Sequence, residues 1–218
     1  MQRPEFLSDE IRRACLELEM RYPGARSLML TGPAGGEGTT TVTCLYAQAL
    51  AEMTGASVVI VDANLRSPGV HRKLSIEHDP GLRDWEPDSA ERTIHPSAEY
   101  RQLSVMPAGS NNGRSLHTLQ HSGRLEQVAA RLKQDFSYVL WDTPPLTLYP
   151  DGRFLLPYVD GVLVVVEGDG TRLEMLSELH GQLASSNAPL FGVIMNRSGR
   201  YAIAARPVAN RTLRVLPS

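Results

Sequence analysis

The 218-residue chain has the length of one ordinary domain and is long enough to bury a single core. Hydrophobic residues at 42% and charged residues at 21% are globular values. A formal charge of −2 supplies no basic field for nucleic acid.

The first predicted element is a helix over "SDEIRRACLELEM" (8–20), with Ser8 as its N-cap and Ile11, Cys15 and Leu18 at helical spacing. A short strand, "SLML", leads into a glycine-rich loop. The helix "TTVTCLYAQALAEM" follows, with Val42, Leu45, Ala49 and Met53 on one face. "SVVIVD" is a continuous apolar run of the kind buried on both faces of a parallel sheet, as are "LSVMPAG", "YVLWD", "GVLVVVE" and "PLFGVIMN". Between them lie two helices. "SGRLEQVAARLKQ" places Leu125, Val128, Ala129 and Leu132 on one stripe, and "TRLEMLSELHGQL" opens with a Thr171–Glu174 capping box. Two stretches read as loops: 77–101, with Pro80, Pro87 and Pro96, and "GSNNGRS" at 109–115. The fold expected is α/β, a doubly wound, mostly parallel sheet flanked by helices. One domain runs to about residue 200, and 201–218 is a basic tail.

Cys15 and Cys44 fall in predicted helices among apolar neighbours and read as packed thiols of a reducing compartment. No secretory leader is evident, and the longest apolar run, 161–166, is far too short to cross a bilayer. A cytoplasmic protein is expected, touching a membrane only through a partner. The histidines show no metal spacing: His117 and His121 are four apart in a polar segment without an acid. Trp85 and Trp141 read as packing residues.

Ligands of an open α/β sheet sit at the carboxyl ends of its strands. "GPAGGEGTTTV" (32–42) lies at such an end. Gly35, Gly36 and Gly38 let backbone N–H groups turn inward ahead of a helix N-terminus, which suits a phosphate. Against G-x-x-x-x-G-K-[ST], Gly38 takes the last glycine and Thr40 the Mg²⁺-binding hydroxyl. Pro33 holds the first glycine position and Thr39 the lysine position. The only lysines in the chain are Lys73 and Lys133, neither near the loop in sequence. Asp62, in "VVIVDANLRSP", and Asp142, in "YVLWDTPP", each end a buried strand. Singly, each reads as a strand-end cap; with the glycine loop, in this order, they read as a nucleotide site.

These segments resemble the bacterial tyrosine autokinases of capsule and exopolysaccharide assembly. Those kinases belong to the deviant-Walker P-loop ATPases, which also include division-site and partitioning ATPases. "GGEGTTT" stands where those kinases typically read "PGEGKST", and "DANLRSP" where they read "DADLRRP". "DTPP" matches outright, and "GVIMNR", "SVMPAGS" and "GLRDW" match further strands and turns. The resemblance covers about residues 5–200. It implies ATP and Mg²⁺ as cofactors, with the loop residues Gly35, Gly36, Gly38, Thr39, Thr40 and Thr41 around the phosphates. Thr40 would ligate Mg²⁺ and Asp142 would hold it through water. Asp62 would act as base or water-orienting acid at the metal, and Asn196 would contact the adenine. Asp151 stands where the family has a Ser/Thr-Asp.

Four departures bear on activity. Thr39 replaces the lysine, and Asn64 replaces the second acid of "DxD". The family's C-terminal tyrosine cluster is reduced to Tyr201. The N-terminal Glu-x-x-Arg-x-x-Arg of ring assembly keeps Glu10 and Arg13 but has Leu16 in third place. Relative to the family pattern, the loss of one positive and one negative charge leaves the pocket's net charge unchanged. The function expected is a catalytically impaired, kinase-like component of polysaccharide biosynthesis and export. It would bind ATP–Mg²⁺ weakly or not at all and act as scaffold or regulator on the cytoplasmic segment of a membrane polysaccharide co-polymerase (Wzz-like), with homo-oligomers possible and no nucleic acid bound. Two alternatives stand beside it: an active tyrosine kinase or ATPase, and a positioning ATPase.

Overall fold

The computed structural model describes residues 5–168, 170–186, 188–197 and 205–206. Among these residues eight strands form one sheet: β1 (Ser27–Thr31), β2 (Val58–Asp62), β3 (His95–Pro96), β4 (Leu103–Met106), β5 (Tyr138–Asp142), β6 (Gly161–Glu167), β7 (Leu190–Asn196) and β8 (Ala205–Arg206). Their order is β3-β4-β2-β5-β1-β6-β7-β8. The six inner strands are mutually parallel, and the two-residue edge strands β3 and β8 pair antiparallel. Order reverses at β1, from which the chain steps first toward β2 and later toward β6. A doubly wound sheet places its ligand crevice there.

Among the described residues six α-helices cover the sheet: α1 (Glu5–Arg21), α2 (Thr39–Thr54), α3 (Val70–Leu74), α4 (Leu116–His121), α5 (Arg124–Asp135) and α6 (Leu173–Ser185). Alternating strand residues feed two cores. Leu28, Leu30, Ile60, Leu140, Leu163 and Val165 face α1 and α2. Met29, Val59, Val61, Trp141, Val162 and Val164 face α4, α5 and α6. This two-sided burial is why the strands read as unbroken apolar runs rather than alternating ones. Trp141 is fully buried and its indole N–H donates to Ser27 Oγ (3.1 Å), and Trp85 is buried as well. Both are packing residues. Cys15 and Cys44 are buried free thiols, and burial pushes the Cys15 thiol up to about 12.

Four sequence expectations change. α1 begins at Glu5, so Ser8 lies inside the helix rather than capping it; Pro4-Glu5 is itself a sequence suited to a helix start. α2 is buried well beyond the expected face, because it is sandwiched between α1 and the sheet: Tyr46, Ala47 and Leu50 are enclosed, while Leu45 and Met53 are only partly covered. The Thr171 box does not form. The N-cap of α6 is Arg172, and Thr171 Oγ1 instead accepts from the Glu167 N–H (2.8 Å), closing the turn after β6. The stretch 77–101 holds 3₁₀ turns at Leu82–Asp84 and Pro87–Thr93 besides β3. Of the basic tail, Ala205–Arg206 pairs with β7; Tyr201, Arg200, Arg211 and Arg214 lie outside the described residues.

Candidate functional site

β1 delivers the chain into the loop at the switch point. Gly35 (φ 93°), Gly36 (φ 94°) and Gly38 (φ 83°) all take the left-handed conformation that L side chains resist. The loop is braced from within. The Glu37 carboxylate is buried and accepts from the N–H groups of Ala34 (2.6 Å) and Gly35 (2.7 Å). Gly38 precedes α2 without a side-chain cap, so the first-turn N–H groups of Thr39, Thr40 and Thr41 have no acceptor inside the helix. A helix start of that kind attracts anions.

Beneath the loop lie the two strand-end acids. Asp62 and Asp142 are side by side in the β2–β5 register, and both are fully buried. Asp142 accepts hydrogen bonds from Thr40 Oγ1 (2.7 Å) and Thr43 Oγ1 (3.2 Å). Asp62 Oδ2 accepts from the N–H groups of Gly69 (2.9 Å) and Val70 (3.0 Å), pinning the start of α3, while Asp62 Oδ1 is buried with no partner among the described residues. Burial pushes both carboxyls up from the ordinary aspartate range, and the nearby Asp62 charge adds to the rise at Asp142. Two buried acids that pair with no cation among the described residues, and one orphaned oxygen, suit a divalent metal. The donor set is that of Mg²⁺, which uses a hydroxyl and one or two carboxylates and leaves its other positions to water and phosphate.

Asn196, at the end of β7, reaches the loop from the other side. Its Nδ2 donates to the Glu37 carbonyl (2.7 Å) and its Oδ1 accepts from the Arg197 N–H (3.0 Å), leaving one donor and one lone pair for a base. Arg197 donates to the Gly36 carbonyl (2.9 Å). Thus the structure brings Gly35, Gly36, Gly38, Thr39, Thr40, Asp62, Asp142 and Asn196 to one place. Thr41 follows in the first turn of α2, half-buried.

The adjoining cleft, about 750 Å³, is lined by the loop and by Asn64, Ser67, Gly69 and Tyr149, with four cations: Arg66, Arg72, Lys73 and Arg197. Lys73 was named in the sequence only as a lysine remote from the loop, and the three arginines were not singled out as site residues. The signal available was the pair Arg72-Lys73 directly after "DANLRSPGV", but only the docking of α3 against Thr40 shows that they face the loop. Arg66 is held by Asp151 (2.9 Å) and lies over the Tyr149 ring.

Residues 25–185 match the profile of the family described as cellulose biosynthesis protein BcsQ, well over half of the chain. The chain belongs to that family. Relatives of this BcsQ-family chain include tyrosine-protein kinase YwqD of Bacillus subtilis, 29% identical over 78% of this chain and 72% of that one. Another is the succinoglycan biosynthesis transport protein ExoP of Rhizobium meliloti, 24% identical over 89% of this chain but 26% of its own length. The chain therefore spans only about a quarter of some relatives. The VpsO kinase domain superposes with a TM-score of 0.75 at 25% identity, covering 89% of this chain and 97% of that one. The septum site-determining protein MinD of Pyrococcus horikoshii, complexed with Mg-ADP, shares the fold at TM-score 0.65 and 22% identity, over 81% and 72% of the two chains. The resemblance to tyrosine kinases of exopolysaccharide and capsule biosynthesis, and to deviant-Walker ATPases, holds.

Proposed function

We propose that the chain is a kinase-like component of exopolysaccharide or capsule biosynthesis that binds Mg–nucleotide weakly. It works by docking on the cytoplasmic segment of a membrane polysaccharide co-polymerase rather than by phosphorylating its own tail. The observation that carries this reading is a loop that keeps Gly35, Gly36 and Gly38 in their left-handed conformation and keeps the Thr40–Asp142–Asp62 cluster, but has Pro33 in the first glycine position and Thr39 in the lysine position. The names of the relatives, a tyrosine kinase and a succinoglycan transport protein, support the pathway.

Magnitudes separate binding from chemistry. A charge-assisted hydrogen bond is worth roughly 1.5–3 kcal/mol, so the missing loop lysine weakens ATP by about 10–100-fold. A preorganised charge at developing negative charge is worth around 10²–10³ in rate, and phosphoryl transfer relies on little besides positioning and electrostatics. Bound Mg²⁺ would neutralise phosphate charge. Thr40 and Asp142 would hold the ion, and Asp62 would orient a water or accept a proton. Calorimetry should therefore give an ATP–Mg²⁺ affinity near the millimolar range, and phosphotyrosine blotting after incubation with ATP should be negative. Low-micromolar affinity, or a strong signal that vanishes in Asp142→Ala, would restore the active kinase.

A further inference from the structure

The sequence removes the loop's lysine; the fold sets another cation beside the place it left. Gly69 packs directly on Thr40: a Cβ built on Gly69 would lie 3.2 Å from Thr40 Cγ2. The Lys73 N–H donates to the Gly69 carbonyl (3.2 Å), so Lys73 stands one helical turn further along α3 on the same side. Helical side chains lean toward the N-terminus of their helix, which here is toward Gly69 and Thr40. A four-carbon stem spans that single turn. Lys73 lines the cleft together with Thr39, Thr40 and Arg72.

The other cations are committed. Arg66 is paired with Asp151 and Arg197 with Glu167, whereas neither Lys73 nor Arg72 pairs with an acid among the described residues. The start of α3 is itself clamped to the strand-end acid, through Gly69 and Val70 on Asp62.

From this arrangement we infer that Lys73, supported by Arg72, contacts the terminal phosphate of a nucleoside triphosphate, so that the protein distinguishes Mg–ATP from Mg–ADP through α3 rather than through the loop. The inference rests on the nucleotide reading above and deepens it. Because Lys73 projects from α3, its charge follows the terminal phosphate and not the β-phosphate that the loop backbone cradles. Loss of Lys73 should therefore cost ATP and spare ADP.

The test is calorimetric titration of the full chain with Mg–ATP and with Mg–ADP, for the wild type, Lys73→Gln, Lys73→Arg and the double variant Thr39→Lys/Lys73→Gln. Unfolding midpoints check that each variant is folded, and an exposed lysine on a five-residue helix leaves them nearly unchanged. In the wild type ATP should bind at least about tenfold tighter than ADP, the worth of one charge-assisted contact. Lys73→Gln should abolish that preference by weakening ATP alone, Lys73→Arg should keep most of it, and Thr39→Lys should restore it in the double variant. If Lys73→Gln retains the wild-type ATP-to-ADP ratio, Lys73 does not read the terminal phosphate, although the nucleotide site stands. If the wild type binds neither nucleotide at millimolar concentration, the nucleotide reading itself fails, and this assignment with it.

Discussion

Asp62 and Asp142 end adjacent parallel strands, and the fold seals both from water before any cation is counted. An aspartate in an unfolded chain titrates near about 3.9. Burial raises both native carboxyls above that value, so over the intervening range the metal-free native state holds protons that the unfolded state has released. Stability is then greatest at the acid side of that window and is lost as pH rises through the native titration. In chelator, the unfolding midpoint should fall between about pH 5 and about pH 8, and Asp142→Asn should flatten the slope. Mg²⁺ competes with those protons and should recover stability chiefly at the upper end. A pH-independent midpoint, or an unchanged slope in Asp142→Asn, would refute the buried-pair account. Asn64 belongs to the same balance. Its Oδ1 accepts from the Ser67 N–H, a bond an aspartate makes equally well, so Asn64→Asp keeps the turn and adds an acid to the cleft beside the one already lining it, Glu37. Its thermal stability should drop without Mg²⁺; no loss would mean that the Thr39 and Asn64 replacements do not compensate one another. Both acids and Thr40 were legible in the sequence because strand-end position and loop spacing are local patterns. Lys73 was not, because its proximity to the loop is created by the packing of Gly69 on Thr40, two residues far apart in the chain.

The loop is the element on which the site depends, and its glycines are not equivalent. Gly36 has φ 94° with open space around a built Cβ, while at Gly38, φ 83°, that Cβ would lie 2.5 Å from Asn196 Nδ2. Gly36→Ala should cost the left-handed backbone term alone, about 1–2 kcal/mol. Gly38→Ala adds a clash with the amide that ties β7 to the loop, and chemical denaturation should show it clearly the more destabilised. Equal losses would mean that Asn196 yields freely and does not brace the loop. The same contrast between local and imposed constraint explains what could be read of the helices. α5 has one buried stripe, Leu125, Val128, Ala129 and Leu132, and its periodicity gave that stripe in full. α2 is enclosed from two sides, so no single stripe in its sequence describes it. The Thr171–Glu174 pattern suits a capping box, but the turn after β6 claims the Thr171 hydroxyl first.

For the molecule as a whole, the question is which surface does the work if the cleft does little chemistry. α1 buries Ile11, Ala14, Cys15 and Leu18 against α2 and the sheet, and Arg12 pairs with Glu52 across that joint. Its other side carries Glu10, Arg13, Leu16 and Met20 along one helical face, with Leu16 53% and Met20 83% exposed. Two long apolar side chains among charges form a surface suited to a protein partner, and the charges give it polarity. Arg13 pairs with Glu17, an exposed i,i+4 pair worth little to the fold. Exchanging the charges, Glu10→Arg with Arg13→Glu, should therefore leave circular dichroism and the unfolding midpoint nearly unchanged. If docking carries the function, that double variant should fail to restore polysaccharide in a deletion strain, while Thr40→Ala and Asp142→Ala restore it nearly in full. Co-purification with the co-polymerase's cytoplasmic segment should follow the same pattern, lost in the charge-reversed protein and kept in the cleft variants. Polysaccharide lost in Asp142→Ala but kept in the charge-reversed protein would assign the work to the cleft, and the reading of Thr39 as the mark of an impaired site would then fail.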